Sequence, residues 1–165
     1  MTDQVSGMAP VATAPLVVTM GDPAGIGPDI TLQAWANRAA QQLPPFVVIG
    51  APGVYRDRAR KLGLTVPVGE VDGVARGAAA FSQRLPVLPV DCGPVRCGHP
   101  TAGNAGAVIQ AIERAVALCL AGEAGGMVTG PIAKAVLKQA GFAHPGHTEF
   151  LSHLVAGDGP RPLPV

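Results

Sequence analysis

Short apolar runs alternate along the chain with longer stretches in which apolar positions recur every three or four residues. Short runs bounded by glycine or proline are typical of buried parallel strands, and the longer period is typical of amphipathic helices. The runs predict five strands, at residues 16–20, 46–49, 64–68, 85–90 and 127–129. Pro86 and Pro89 interrupt the fourth run, which favours an edge strand or an irregular segment there.

The helical period predicts helices between and after these strands, at residues 28–41, 54–62, 104–121, 131–140 and 148–155. Residues 71–82, rich in Ala and Gly, indicate either a weak helix or a loop. Pro28 and Pro131 suit a first helical turn, and Gly63 and Gly141 suit the position after a last one. This alternation predicts an α/β fold of three layers, with a mostly parallel sheet covered by helices on both faces.

The composition is compatible with one domain that has a hydrophobic core, since 48% of the 165 residues are apolar and only 14% are charged. The low charged fraction is expected if much of the surface is covered by a partner or a missing second half, or if the genome favours Ala and Gly. A net charge of +1 gives no reason to expect nucleic acid or an anionic membrane as partner.

The first 14 residues have no basic start typical of a signal peptide. They are expected to be a flexible tail before a unit of residues 15–165. We therefore expect a cytoplasmic protein without a membrane span. Arg56, Arg58 and Arg60 are expected to form a solvated helix face.

The cysteines give little support for a metal site. Cys92, Cys97 and His99 follow the spacing C-x4-C-x-H without a second close pair, a weak match to structural zinc patterns, so reduced thiols are favoured. Ser82, Ser152 and Cys92 lack the context of a catalytic nucleophile.

The chemistry is expected at three turns, because ligands of parallel α/β sheets bind beyond the carboxyl ends of the strands. The first, residues 21–28 (GDPAGIGP), has three glycines that let the backbone approach a ligand and leave amides free for an anion. Its spacing matches neither the dinucleotide fingerprint nor the P-loop. Asp22 could orient a substrate amine or a cation, or it could only cap backbone amides.

The second turn, residues 129–134 (TGPIAK), places Lys134 in the first turn of a predicted helix, as an anion ligand or as an ordinary solvated lysine. The third turn, residues 146–150, places His147 beside Thr148, a compact set of donors for phosphate or carboxylate oxygens. Glu149 could pair with Lys134 or another basic group. His144 and His153 flank the third turn, but no carboxylate completes a recognisable metal-ligand set.

Together these segments resemble the N-terminal half of the 4-hydroxythreonine-4-phosphate dehydrogenase family. The matching text is VTMGDPAGIGPDI at residues 18–30, VTGPIAKAVL at 128–137 and GHTEFL at 146–151, and the likeness runs over nearly all the chain from Pro15. The resemblance implies a fold similar to isocitrate and isopropylmalate dehydrogenases. It also implies a homodimer that oxidises the secondary alcohol of 4-phosphooxy-L-threonine with NAD or NADP. The 3-oxo acid so formed loses carbon dioxide, in the synthesis of pyridoxal phosphate.

By this likeness His147 and Thr148 bind the substrate, and Asp22 and Lys134 support the site. Ala133 departs from the Asn or His of many members, although some members carry Ala, and this departure bears on substrate choice more than on fold. The family's divalent metal (Zn, Mg or Co) is held by three histidines that, like most cofactor contacts, lie in the C-terminal half, beyond Val165. None of the four histidines present is assigned to the metal, and no catalytic residue is assigned in this chain.

The resemblance therefore predicts a chain that has no dehydrogenase activity alone. Two alternatives stay open. One is a paralogous dehydrogenase that acts on phosphorylated threonate or erythronate, and the other is a non-catalytic module that binds phosphate esters.

Overall fold

The structure, a computed structural model, describes residues 14–156 and contains a parallel β-sheet. Its strands are β1 (Leu16–Thr19), β2 (Phe46–Gly50), β3 (Val68–Glu70), β4 (Leu85–Pro89) and β5 (Gly126–Val128). They lie in the order β3-β4-β2-β1-β5, and every neighbouring pair is parallel. Residues 1–13 of the expected tail and residues 157–165 of the expected domain lie outside the described part.

Helices cover both faces of this sheet. They are α1 (Gly27–Ala36), α2 (Pro52–Lys61), α3 (Val74–Ala80), α4 (Ala105–Leu120), α5 (Lys134–Gln139) and α6 (His147–Ala156). On one face, Leu32 and Trp35 of α1 and Tyr55 of α2 pack with Val48. On the other face, residues of α3 and α4 pack with Val47. Alternate residues of one strand thus enter opposite cores, as in a sheet buried on both sides, and the predicted three-layer α/β fold is confirmed.

Helices α5 and α6 lie further from the sheet. Their residues Leu137 and Phe150 form a third core with Val108 and Ile112 of α4. The segment that carries two of the three candidate turns is thus held in place mainly by α4. None of the described helices is both long and apolar enough to cross a membrane.

The prediction of an edge or irregular strand at residues 85–90 is wrong, because β4 lies between β3 and β2. Leu85 donates its N–H to Pro67 on the β3 side, and Val90 donates to Gly50 on the β2 side. Successive residues of β4 therefore face β3 and β2 in turn. Pro86 faces β2, one residue before the β2–β4 pairing starts at Val48–Val87. Pro89 faces β3, after the β3–β4 pairing has ended at Glu70–Val87. Neither proline interrupts a ladder hydrogen bond.

Other boundaries differ from the sequence prediction. The third strand is Val68–Glu70, not residues 64–68, because the chain leaves α2 through a turn at Gly63 and reaches the sheet only at Val68. Helix α1 ends at Ala36, where the side chain of Asn37 donates to the Gln33 carbonyl, instead of continuing to residue 41. The ambiguous residues 71–82 contain the helix α3.

Candidate functional site

The order of the strands defines a crevice at the carboxyl ends of β1 and β5. The connection from β1 through α1 leads to β2 on one side of β1, and the connection from β4 through α4 leads to β5 on the other side. Ligands of open α/β sheets bind at such a switch point, where neighbouring connections leave in opposite directions. The first two candidate turns follow these two strands.

These two turns are in direct contact. The Asp22 N–H donates to the Pro131 carbonyl oxygen at 2.9 Å, and the Gly130 N–H donates to the Thr19 hydroxyl at 3.1 Å. Gly21 has φ +69°, and a Cβ there would lie 2.4 Å from the Pro131 oxygen. Glycine is therefore required at position 21 both by backbone conformation and by space.

Asp22 is buried, and its side chain shapes the first turn. Oδ1 of Asp22 accepts a hydrogen bond from the Ala24 N–H at 2.8 Å. Asp22 therefore caps a backbone amide of the turn, as one of the two sequence interpretations suggested. Burial, and then the negative charge of Asp22, raise the pKa of the Cys92 thiol. The loop after β4 thus lies beside Asp22 as well.

The third turn lies beside the second. A methyl group placed on Gly146 would lie 3.7 Å from Nζ of Lys134. Nε2 of His147 is buried and has no hydrogen-bond partner within the described part of the chain. Burial, and then the charge of Lys134, lower the pKa of His147, so its neutral form is favoured. A buried ring nitrogen without a partner needs an explanation, and a ligand oxygen would supply one.

Lys134 and Thr148 are exposed at the starts of their helices. Lys134 is the first residue of α5, since residues 131–133 are not helical as predicted, and Thr148 is the second residue of α6. The suggested pair of Glu149 with Lys134 is wrong, because no ion pair joins them in the described structure. An ammonium, an imidazole, a hydroxyl and the first amides of α6 are thus grouped, and these are donors that bind anions. Oε2 of Glu149 lies 3.4 Å from the same methyl position on Gly146, without an ion pair to Lys134.

Arg58 is the residue whose environment the sequence reasoning missed. It is 7% exposed, whereas the neighbouring Arg56 and Arg60 are solvated and pair with Glu70 and Asp57. The prediction of one solvated arginine face is therefore wrong at Arg58. Residues two apart on a helix do not share a face. The spacing of the three arginines therefore already indicated that Arg58 lies on a different face from Arg56 and Arg60.

The histidines and cysteines of the described residues do not fit the implied metal. No three His, Cys, Asp or Glu side chains in that part are grouped to hold an ion. His144 packs against His153 at 5.1 Å between ring centroids, and also against Phe150. Cys92, Cys97 and Cys119 are free thiols, and Cys92 contacts Oδ1 of Asn104 at 3.4 Å.

The fold and the site define a class: a three-layer, parallel α/β protein with a candidate anion-binding site at the switch point of its sheet. Within this class, the family model described as pyridoxal phosphate biosynthetic protein PdxA matches residues 41–162. The chain belongs to this family, as the sequence motifs predicted.

Known proteins agree with this assignment. A 4-hydroxythreonine-4-phosphate dehydrogenase of Xanthobacter autotrophicus is 49% identical over 159 residues, which cover 94% of this chain and 45% of that protein. The crystal structure of such a dehydrogenase from Klebsiella pneumoniae is 32% identical with a TM-score of 0.75, covering 86% of this chain and 44% of that one. Its counterpart from Burkholderia phymatum is 26% identical with a TM-score of 0.78, covering 88% and 44%. The chain thus spans less than half the length of these relatives.

Proposed function

We propose that the protein to which this chain contributes oxidises 4-phosphooxy-L-threonine with NAD or NADP, and that the 3-oxo acid formed then loses carbon dioxide. Family membership supports this reaction. The observation that supports this chain's part in it is the cluster of Lys134, His147 and Thr148 beside the switch point. We propose that the cluster binds the phosphorylated substrate.

Each side chain has a distinct role in this proposal. Lys134 supplies a positive charge to an anionic oxygen, and His147 meets a second oxygen through its buried Nε2. Thr148 donates a hydroxyl where the amides of α6 begin. Asp22, held beside the second turn, is the candidate partner of the substrate amine.

The nicotinamide cofactor and a divalent metal (Zn, Mg or Co) are expected to bind through residues outside this chain, as the family implies. When bound, such a metal polarises the alcohol and the developing ketone. The His, Cys, Asp and Glu side chains described here do not form its ligand set. We further propose that the whole protein is a cytoplasmic homodimer.

The test is NAD+ or NADP+ reduction by the full-length protein, with Lys134→Ala compared against Lys138→Ala. Both lysines are exposed on α5, but only Lys134 lies beside Gly146. We expect Lys134→Ala to raise KM for the phosphorylated substrate by about tenfold or more, as loss of a charge-assisted contact does. Lys138→Ala should behave as the unsubstituted protein. Equal effects of the two substitutions would contradict the assignment.

A second candidate substrate is phosphorylated threonate or erythronate. Ala133 is a half-buried methyl group directly before Lys134. By the family resemblance, this position carries Asn or His in many members and Ala in some. A hydroxyl in place of the substrate amine would distinguish the two substrates, so their kcat/KM values in one assay decide between them. Binding of both esters by the full-length protein without turnover would instead favour the non-catalytic module.

A further inference from the structure

Arg58 connects helix α2 to the first candidate turn through an unusual set of contacts. Its Nη1 donates to both carboxylate oxygens of Asp29, at 3.1 and 3.0 Å. Its Nη2 donates to the carbonyl oxygens of Ala24 at 3.2 Å and Gly25 at 2.5 Å. The guanidinium is therefore almost fully buried, and both of its terminal nitrogens are bonded to the turn and to the start of α1.

These contacts hold the orientation of two peptide planes. The Ala24 carbonyl also accepts from the Gly98 N–H at 2.8 Å, whereas the Gly25 carbonyl is held by Arg58. All described peptide bonds are trans, so a carbonyl that points toward Arg58 directs the amide of the following residue away from it. The amides so directed belong to Gly25 and Ile26. The Gly25 N–H donates to the Asp22 carbonyl at 3.0 Å, which closes the turn, and the Ile26 N–H has no acceptor among the described residues.

We propose that Arg58 is a positioning residue for substrate binding: it holds the turn of residues 21–28 so that Asp22 and the free backbone amide of Ile26 face the ligand side of the crevice. This proposal rests on the proposed function, because it assigns that turn to the substrate. Arg58 does not touch the substrate. It acts through the backbone that carries Asp22.

Lysine cannot replace arginine here, because a single ammonium cannot bond a carboxylate and two carbonyls in a planar fork. We therefore expect Arg58→Lys in the full-length protein to fold, to raise KM for 4-phosphooxy-L-threonine by about tenfold or more, and to leave KM for NAD+ or NADP+ nearly unchanged. Displacements of about 1 Å at groups that position a substrate can cost as much as about a hundredfold. Arg56→Lys, in an exposed pair with Glu70, is the matched control.

A purely structural role would lower the amount of folded protein without changing KM for the substrate. A folded Arg58→Lys variant with the KM of the unsubstituted protein would therefore overturn the proposal. If Arg58→Lys does not fold, Asp29→Asn is tested in its place. The same increase in KM is expected, and a folded Asp29→Asn variant with the KM of the unsubstituted protein would overturn the proposal.

A failure of the proposed function can be distinguished from a failure of the positioning role of Arg58. If the unsubstituted protein does not turn over the ester, that function is refuted, and the positioning role is then judged by calorimetric affinity for the same ester. Weaker binding by Arg58→Lys than by Arg56→Lys supports it, and equal binding overturns it. If the unsubstituted protein does not bind the ester at all, both proposals are refuted.

Discussion

Among the described residues, none pairs with the buried Nε2 of His147, and the charge of Lys134 lies near this ring. Because the folded protein lowers the pKa of His147, the unfolded chain binds protons more readily at mildly acidic pH. The contribution of His147 to stability is therefore complete above its ordinary pKa of about 6.5 and is lost as pH falls below that value.

An anionic ligand should reverse this effect, because a phosphate oxygen beside His147 favours the imidazolium. At about pH 6, binding of the phosphorylated substrate to the full-length protein should therefore take up protons. Calorimetry in buffers of different ionisation enthalpy measures that uptake. His147→Asn should abolish it and His99→Asn, at an exposed histidine, should not. A binding enthalpy that does not depend on the buffer would refute this role of His147.

Gly21 shows how one residue determines the contact of two turns. Gly21→Ala would force a Cβ to within 2.4 Å of the Pro131 oxygen at a positive φ. We expect a loss of roughly 1–3 kcal/mol or more in the free energy of unfolding, as for strained backbone positions. Gly53→Ala, where a Cβ meets nothing within 4 Å, should change it little. Urea denaturation of both variants measures the difference, and similar midpoints would contradict it.

At the scale of elements, helix α4 approaches the sheet through small residues. Ala107, Ala111 and Ala115 lie in the core with Val17 and Val47. Ala111→Leu should overpack this layer and cost roughly 1–3 kcal/mol of stability. Ala117→Leu, on the exposed side of the same helix, should cost little. Thermal and urea unfolding measure the stability of the two variants. Equal stability would contradict the prediction, because it would show that the layer between α4 and the sheet accommodates the larger side chain.

Strand β4 shows why proline content alone misplaced an element. The prolines indicated an edge because a central strand needs ladder hydrogen bonds on both sides. The two neighbouring ladders, however, are staggered along β4, and each proline faces the side where pairing is absent. The stagger depends on β2 and β3, which are distant in the sequence, so residues 85–90 could not reveal it.

At the scale of the whole molecule, the described residues supply the proposed substrate-binding cluster but no metal-ligand set. We expect the 165-residue chain alone to give no measurable metal-dependent reduction of NAD+ or NADP+ with 4-phosphooxy-L-threonine. The full-length protein in the same assay is the positive control. Turnover by the isolated chain would show that its own residues complete the active site.

The sequence by itself determined the strand–helix alternation, the three-layer class, the family and the three turns, because apolar periodicity and short motifs are local properties of the chain. The tertiary structure alone decided that β4 is internal, that Lys134 approaches His147 and that Arg58 is buried against Asp29. These features depend on which elements meet. That outcome is set by packing between segments as far apart as residues 48 and 87, where β2 pairs with β4, and no local pattern records it.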